Sequence, residues 1–144
     1  MKFHEEERLF NDFVKGKGLK HSEKRITILM VFLKTERHLT ADELFHLVKK
    51  KDRSIGVATV YRTLKLICKS GLGRELRLES ESVRYEHNYK HDHHDHIICV
   101  QCDKLIEIMD DELEKIQGKL ARRAGFVLQG HRLLMYGLCR ECTN

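Results

Sequence analysis

Two Cys-x-x-Cys pairs, Cys99-Val100-Gln101-Cys102 and Cys139-Arg140-Glu141-Cys142, constrain this chain more than any other feature. Four thiolates in two such knuckles suit one tetrahedral zinc ion in a closed structural site. The 36 residues between the pairs are more than a zinc ribbon uses. The last strand of this region must therefore return beside its first, which an antiparallel sheet permits. A redox Cys-x-x-Cys or unrelated thiols are the rival readings, and two evenly built pairs argue against both. Cys68 stands apart and reads as a small core residue.

Just ahead of the first knuckle lies His91-Asp92-His93-His94-Asp95-His96, and five of the ten histidines fall between His87 and His96. On a strand, alternate side chains share a face. His94 and His96 would then point one way, and His93 and Asp95 the other. Glu86, Glu107, Glu114, His131 and His38 are candidates to complete a coordination sphere. Mixed imidazole and carboxylate ligands suit Fe(II), Mn(II), Co(II) or Zn(II). A solvated polyhistidine loop is the bland alternative.

The same stretch also reads as His-x-His-x-Asp-His, a pattern of metallo-β-lactamase-type hydrolases, carried here by His91, His93, Asp95 and His96. A metal-dependent hydrolase with a metal-activated water is thus the rival function. That fold is too large to share 144 residues with a basic helical half, and it leaves the four cysteines without a role. No Ser/His/Asp or Cys/His nucleophile arrangement and no Gly-rich phosphate loop is evident.

Charge divides the chain as sharply as cysteine does. Residues 1–72 hold 16 Lys+Arg against 9 Asp+Glu, a net +7, while residues 73–144 hold 11 against 13, a net −2. A basic half favours a polyanionic partner, with nucleic acid first. An anionic membrane surface comes second to nucleic acid, and no run of about 18 apolar residues exists, so nothing is expected to span a membrane. The N-terminus lacks an apolar signal region, which points to the cytoplasm, where the cysteines stay reduced.

The basic half is patterned as helices. Residues 5–17 carry Leu9, Phe13 and Val14 on one face, and Gly16 and Gly18 end the run. Ser22 is the N-cap of a second helix striped by Ile26, Leu29, Met30 and Leu33. Thr40-Ala41-Asp42-Glu43 is a capping-box pattern, opening a third helix with Leu44, Leu47 and Val48 inward. A fourth runs from about Val57 to Ser70, with Val57, Val60, Leu64 and Ile67 inward and Gly71 after its end. Its other face offers Ala58, Thr59, Arg62 and Lys69, small or hydrogen-bonding groups that a DNA major groove admits. Two alternating segments, 75–78 and 83–86, flank Glu79-Ser80-Glu81-Ser82 as a hairpin. Helices followed by a hairpin make a winged helix-turn-helix, and that topology makes the fourth helix the reader.

The second half alternates strand-like segments near 97–100, 105–108, 126–128 and 133–136 with a helix over 110–124, whose Leu113, Ile116 and Leu120 are expected inward. About 50 residues bury little apolar surface, so such a unit needs metal or a partner. The class is α+β, with a winged-helix domain over 1–87, a hinge over 88–92 and a small α/β domain over 93–144.

These features together resemble the ferric uptake regulator (Fur) family over residues 8–142. The carriers are Gly56-Val57-Ala58-Thr59-Val60-Tyr61-Arg62-Thr63-Leu64, then His93-His94-Asp95-His96-Ile97-Ile98-Cys99-Val100-Gln101-Cys102, then the His131–Gly137 stretch and Cys139-x-x-Cys142. The resemblance implies a homodimeric, metal-dependent winged-helix repressor that binds a double-stranded DNA operator, and it makes the C-terminal half the dimerisation domain. It implies structural Zn2+ on Cys99, Cys102, Cys139 and Cys142. It implies a regulatory site for Fe2+ (or Mn2+ or Zn2+) on His38, Glu86, His94 and His96. It implies a further site on His93, Asp95, Glu114 and His131, with Glu107 completing or bordering these sites. It implies DNA contacts at Lys20, Tyr61 and Arg62, and the outward face of the fourth helix adds Thr59 as a candidate. One metal shared by His38, His94 and His96 would fix the angle between the domains and so the spacing of two reader helices. Glu86 rather than Asp points to iron, with zinc- or peroxide-responsive regulation as alternatives within the family. The segment from Glu86 to His93 is one residue longer than in typical members, which makes His87 a substitute candidate for Glu86. Asp103 stands where the family usually has Gly.

Overall fold

The computed structural model describes residues 2–78, 80–90 and 94–144. The chain forms two compact units, Met1–His91 and Asp92–Asn144.

The first unit contains α1 (His4–Gly16), α2 (Glu23–Lys34), α3 (Ala41–Lys51) and α4 (Val57–Lys69), followed by the hairpin β1 (Gly73–Arg77) and β2 (Val83–His87). Each helix boundary has a local cause. Ser22 caps α2 by accepting from the Arg25 amide at 3.3 Å. Thr40 caps α3 by accepting from the Glu43 amide at 3.1 Å, and its hydroxyl donates back to the Glu43 carboxylate at 3.2 Å. Helix α4 closes in a Schellman motif: Leu72 N–H reaches Ile67 C=O, Gly71 N–H reaches Cys68 C=O, and Gly71 supplies the left-handed residue at φ +86°.

The core of this unit is built by Phe10 and Val14 of α1, Ile28, Leu29, Phe32 and Leu33 of α2, Leu44 and Val48 of α3, and Val60, Leu64 and Ile67 of α4. The apolar stripes read from the sequence hold Val14, Leu29, Leu33, Leu44, Val48, Val60, Leu64 and Ile67 of this core but not Phe10, Ile28 or Phe32, and Leu9, expected on the inward face of α1, is exposed while its neighbour Phe10 is buried. Val57 does not join; it is 43 % exposed, because the inward face of α4 begins a turn later and includes the buried Thr63. The Thr63 hydroxyl is satisfied by the Thr59 carbonyl at 2.7 Å, which lets it sit among apolar neighbours. The hairpin docks through Gly73, where a Cβ would meet Ile67 and Phe32 at 3.0 and 3.1 Å. Residues 88–90 are held to this unit. Asn88 N–H donates to Leu72 C=O, the Tyr89 hydroxyl donates to Glu5 at 2.6 Å, and the Lys90 amine donates to Glu5 at 2.8 Å.

The second unit contains β3 (Asp95–Cys99), β4 (Leu105–Ile108), α5 (Asp111–Arg123), β5 (Leu134–Gly137) and the short α6 (Arg140–Thr143). Its sheet order is β4-β3-β5. The last strand does return beside the first, but parallel to it rather than antiparallel, with His96 opposite Leu134 and Cys99 opposite Gly137. The physical reason is that β4 has already carried the chain back to the end where β3 begins, so β5, starting from that end on the other edge of β3, runs parallel to it. Residues 126–128 are not a strand; Phe126 and Val127 are 69 % and 84 % exposed. Nor is any residue of α5 buried, and Ile116 and Leu120 are more than half exposed, so their apolar stripe faces away from this chain's own interior. No helix is long and apolar enough to cross a membrane among the described residues.

Candidate metal centres

The first cluster is the four cysteines. Cys99 ends β3, Cys102 follows in the turn to β4, and Cys139 and Cys142 flank the start of α6 after β5. The parallel β3–β5 pairing brings the two knuckles together. The Sγ atoms of Cys99, Cys102, Cys139 and Cys142 lie within 4.8 Å of one another, with Cys102 and Cys139 3.7 Å apart. A tetrahedral zinc thiolate with Zn–S near 2.3 Å has S···S edges of about 3.8 Å, so the donor set fits. Asp103 turns the first knuckle at φ +59°, a conformation that explains a glycine preference there and that Asp tolerates better than most residues.

The thiols differ electrostatically. The Cys139 and Cys102 amides donate to Cys99 and hold its pKa down to about 6. The Cys139 thiol beside Cys142, helped by burial, pushes Cys142 up to about 12. One thiolate is thus preformed, while the neighbouring thiols raise Cys142 and Cys102 until a cation neutralises them. Cys68 is different: burial raises it to about 12, as expected of an inert core thiol.

The second cluster uses alternate faces of β3. Asp95 is 1 % exposed, and His131 Nε2 lies 3.1 Å from its Oδ1 and 3.4 Å from Glu114 Oε1. The three offer ligand atoms within 4.8 Å of one another. Glu114 reaches in from the first turn of α5, whose N-cap Asp110 accepts from the Glu112 and Leu113 amides and so fixes where the helix starts.

On the opposite face of β3, the His94 and His96 rings meet edge-on with centroids 4.9 Å apart. His94 Nε2 is 3.5 Å from Glu107 Oε1, and Glu107 is the cross-strand partner of His96 on β4. His96 is buried. The period of two read from the sequence therefore sorts Asp95 from His94 and His96 onto different clusters. That sorting separates Asp95 from His96, which a His-x-His-x-Asp-His hydrolase site would have to share. The other two residues of that motif, His91 and His93, lie outside the described residues; so His93 is not placed in the Asp95 cluster either.

In the first unit, the half-buried His38 pairs with the buried Glu86, His38 Nε2 to Glu86 Oε2. Leu39 and Tyr85 exchange both backbone hydrogen bonds, at 2.9 and 2.6 Å, which aligns the residues on either side of that bridge. His38 precedes Leu39 and Glu86 follows Tyr85, so an antiparallel pairing sets them side by side. His87 points elsewhere, edge-on to Phe3 and Phe32 at 6.5 and 6.4 Å. Glu86 also meets Arg74, its cross-strand partner, which sequence reasoning did not single out. The signal existed in the opposite charges of Arg74 and Glu86, but it needs the hairpin register to be seen.

The expected DNA contacts lie on the surface of the first unit. Tyr61 is 43 % exposed on α4, its hydroxyl 3.5 Å from Asp42 of α3. Arg62 is exposed and its guanidinium lies 3.4 Å from the Thr59 hydroxyl. Lys20 is exposed in the α1–α2 connection.

Comparison with known proteins agrees with this geometry. The model of the ferric uptake regulator family matches residues 16–136. A ferric uptake regulation protein of Neisseria gonorrhoeae is 38 % identical over 130 residues, covering 90 % of each chain. The structure of the Helicobacter pylori ferric uptake regulator, described as having three functional metal binding sites, superposes with a TM-score of 0.86 at 33 % identity, covering 96 % of this chain and 91 % of that one. The Francisella tularensis regulator with iron gives 0.79 at 34 % identity, covering 88 % and 96 %.

Proposed function

The chain belongs to the ferric uptake regulator family, and from that premise we propose that it is an iron-responsive repressor that binds operator DNA as a homodimer. It is a metal-responsive transcriptional regulator, and its relatives are regulators rather than enzymes. The finer reading concerns which residues do what. His38 and Glu86 of the first unit, with His94 and His96 of the second, hold one regulatory divalent ion, bordered by Glu107. Asp95, Glu114 and His131, with His93, hold a second. The four cysteines hold zinc permanently.

The observation that carries the regulatory assignment is the pairing of His38 with the buried Glu86. A carboxylate is rarely buried without a purpose. A divalent cation bound there supplies a bridge between ligands from two parts of the chain. His38 and Glu86 contribute the edge of the wing, and His94 and His96 contribute β3. Closing that bridge sets the spacing of two α4 helices against two half-sites. The metal acts by binding the closed form better than the open one. The exposed apolar residues Ile106, Ile116, Leu120, Phe126 and Val127 support the homodimer, since a single copy leaves them in water.

The test is fluorescence anisotropy with a palindromic, AT-rich duplex at one salt concentration, with and without Fe(II) or Mn(II). Binding should tighten with metal and relax on mild chelation. His38→Ala and His96→Ala should each lose the stimulation and keep the fold. Tight binding that ignores metal in the unmodified protein would remove the sensor mechanism.

A further inference from the structure

We infer that Arg74 controls how Glu86 meets a metal ion, by occupying one carboxylate oxygen and leaving the other to face His38. This rests on the reading of His38 and Glu86 as ligands, and adds a residue that determines the affinity and metal preference of their site.

The contact is specific. Arg74 sits opposite Glu86 in the β1–β2 register. Its Nε donates to Glu86 Oε1 at 2.8 Å, and its Nη2 contacts the same oxygen. His38 Nε2 meets the other oxygen, Oε2. Glu86 is nearly buried, with 6 % of its side chain exposed, and Arg74 is at 22 %. The Arg74 and His38 contacts thus fall on different oxygens of the one carboxylate.

Two consequences follow from elementary electrostatics and coordination chemistry. First, the guanidinium is a cation held against Oε1, so Glu86 offers a metal ion a carboxylate already partly neutralised, with a positive group close behind it. Second, with Oε1 held by Arg74, Glu86 binds through Oε2 alone. One-oxygen coordination favours low coordination numbers, whereas a two-oxygen carboxylate favours the higher numbers that Mn(II) accepts. Arg74 therefore weakens the site overall and disfavours Mn(II) most.

The experiment uses the full-length protein with its cysteine-site zinc retained. Co(II) and Mn(II) are titrated into the unmodified protein, His38→Ala, Arg74→Met and Arg74→Gln. The metal equivalent lost in His38→Ala identifies the site; retention of every equivalent there overturns the site and with it the role of Arg74. In Arg74→Met, Mn(II) at that site should bind about tenfold tighter or more. The visible Co(II) bands should weaken as the coordination number rises. Arg74→Gln removes the charge but keeps a donor for Oε1; it should show the tightening with less spectral change, and it serves if the Met variant fails to fold. Unchanged or weaker Mn(II) binding in a folded Arg74 variant, at a site His38→Ala abolishes, overturns the inference and leaves the site standing.

Discussion

The amide of Cys139 donates to the Sγ of Cys99 across 3.4 Å, joining two knuckles forty residues apart through one protein hydrogen bond. That bond heads the causes that hold Cys99 near pKa 6, while Cys142 is pushed to about 12. Since metal binding requires thiolates, zinc uptake releases protons in proportion to the thiols still protonated. Cys99 is largely ionised at pH 7 and largely protonated at pH 5. Zinc binding at pH 7 should therefore release about one proton fewer than at pH 5. Calorimetry in buffers of different ionisation enthalpy measures this count, and Cys99→Ser should remove the difference. The same lowered pKa has a stability consequence of definite sign. A depressed thiol contributes fully above its unfolded value near 9.0, and its contribution is lost as pH falls through about 6.

Chelating the zinc should unfold the second unit and spare the first. The continuous apolar core runs from Phe10 to Tyr85, all within the first unit. Beyond residue 92 the buried residues among those described are Asp95, His96, Ile98 and Cys99. Two of these four are polar, so apolar burial alone does not hold that half together. Amide exchange after treatment with a strong chelator should show protection lost over β3, β4 and β5 and kept over α2 and α4. Retained protection across β3 would show that the dimer face alone suffices.

Much of this was legible in the sequence because it is local. Caps at Ser22 and Thr40, the Gly71 terminus and the alternation of Asp95 against His94 and His96 depend only on neighbours a few residues away. What was not legible is set by distant pairing. The parallel placement of β5 beside β3 follows from the return of β4 to the end where β3 starts, and no residue pattern in 134–137 encodes it. The spacing of Ile116 and Leu120 reads as a core stripe in sequence, because an apolar face left exposed by this chain and a face packed in its own core share a period. Arg74 was passed over because its partner is twelve residues away and the pairing is fixed only by the hairpin register.

His131→Ala should cost stability and a metal equivalent together, and His131→Gln should separate the two. His131 Nε2 sits 3.1 Å from the buried Asp95. Removing a partner from a buried acceptor costs about 1–3 kcal/mol. Gln restores a donor but is a poor metal ligand, so its denaturation midpoint should recover while the lost Mn(II) or Zn(II) equivalent does not. Equal stability in all three proteins would mean that His131 is not a structural partner of Asp95.

Arg62→Ala should weaken operator binding in a way that salt reports. Arg62 projects from α4 as an exposed cation, one residue after Tyr61, with the Thr59 hydroxyl 3.4 Å from its guanidinium. A residue that neutralises one phosphate contributes about 0.9 to the slope of log K against log salt. A residue that reads a base edge instead costs about 1–3 kcal/mol and relaxes preference at one position, with little change in slope. The proposed homodimer would carry two copies, so a phosphate role there should lower the slope by about 2. The slope, measured by anisotropy at several salt concentrations with Mn(II) constant, decides between the two roles. A variant with unmodified affinity and slope would place the DNA contact elsewhere on α4. The exposed Tyr61 is then the residue to substitute, with Phe removing only its hydroxyl and its 3.5 Å contact to Asp42.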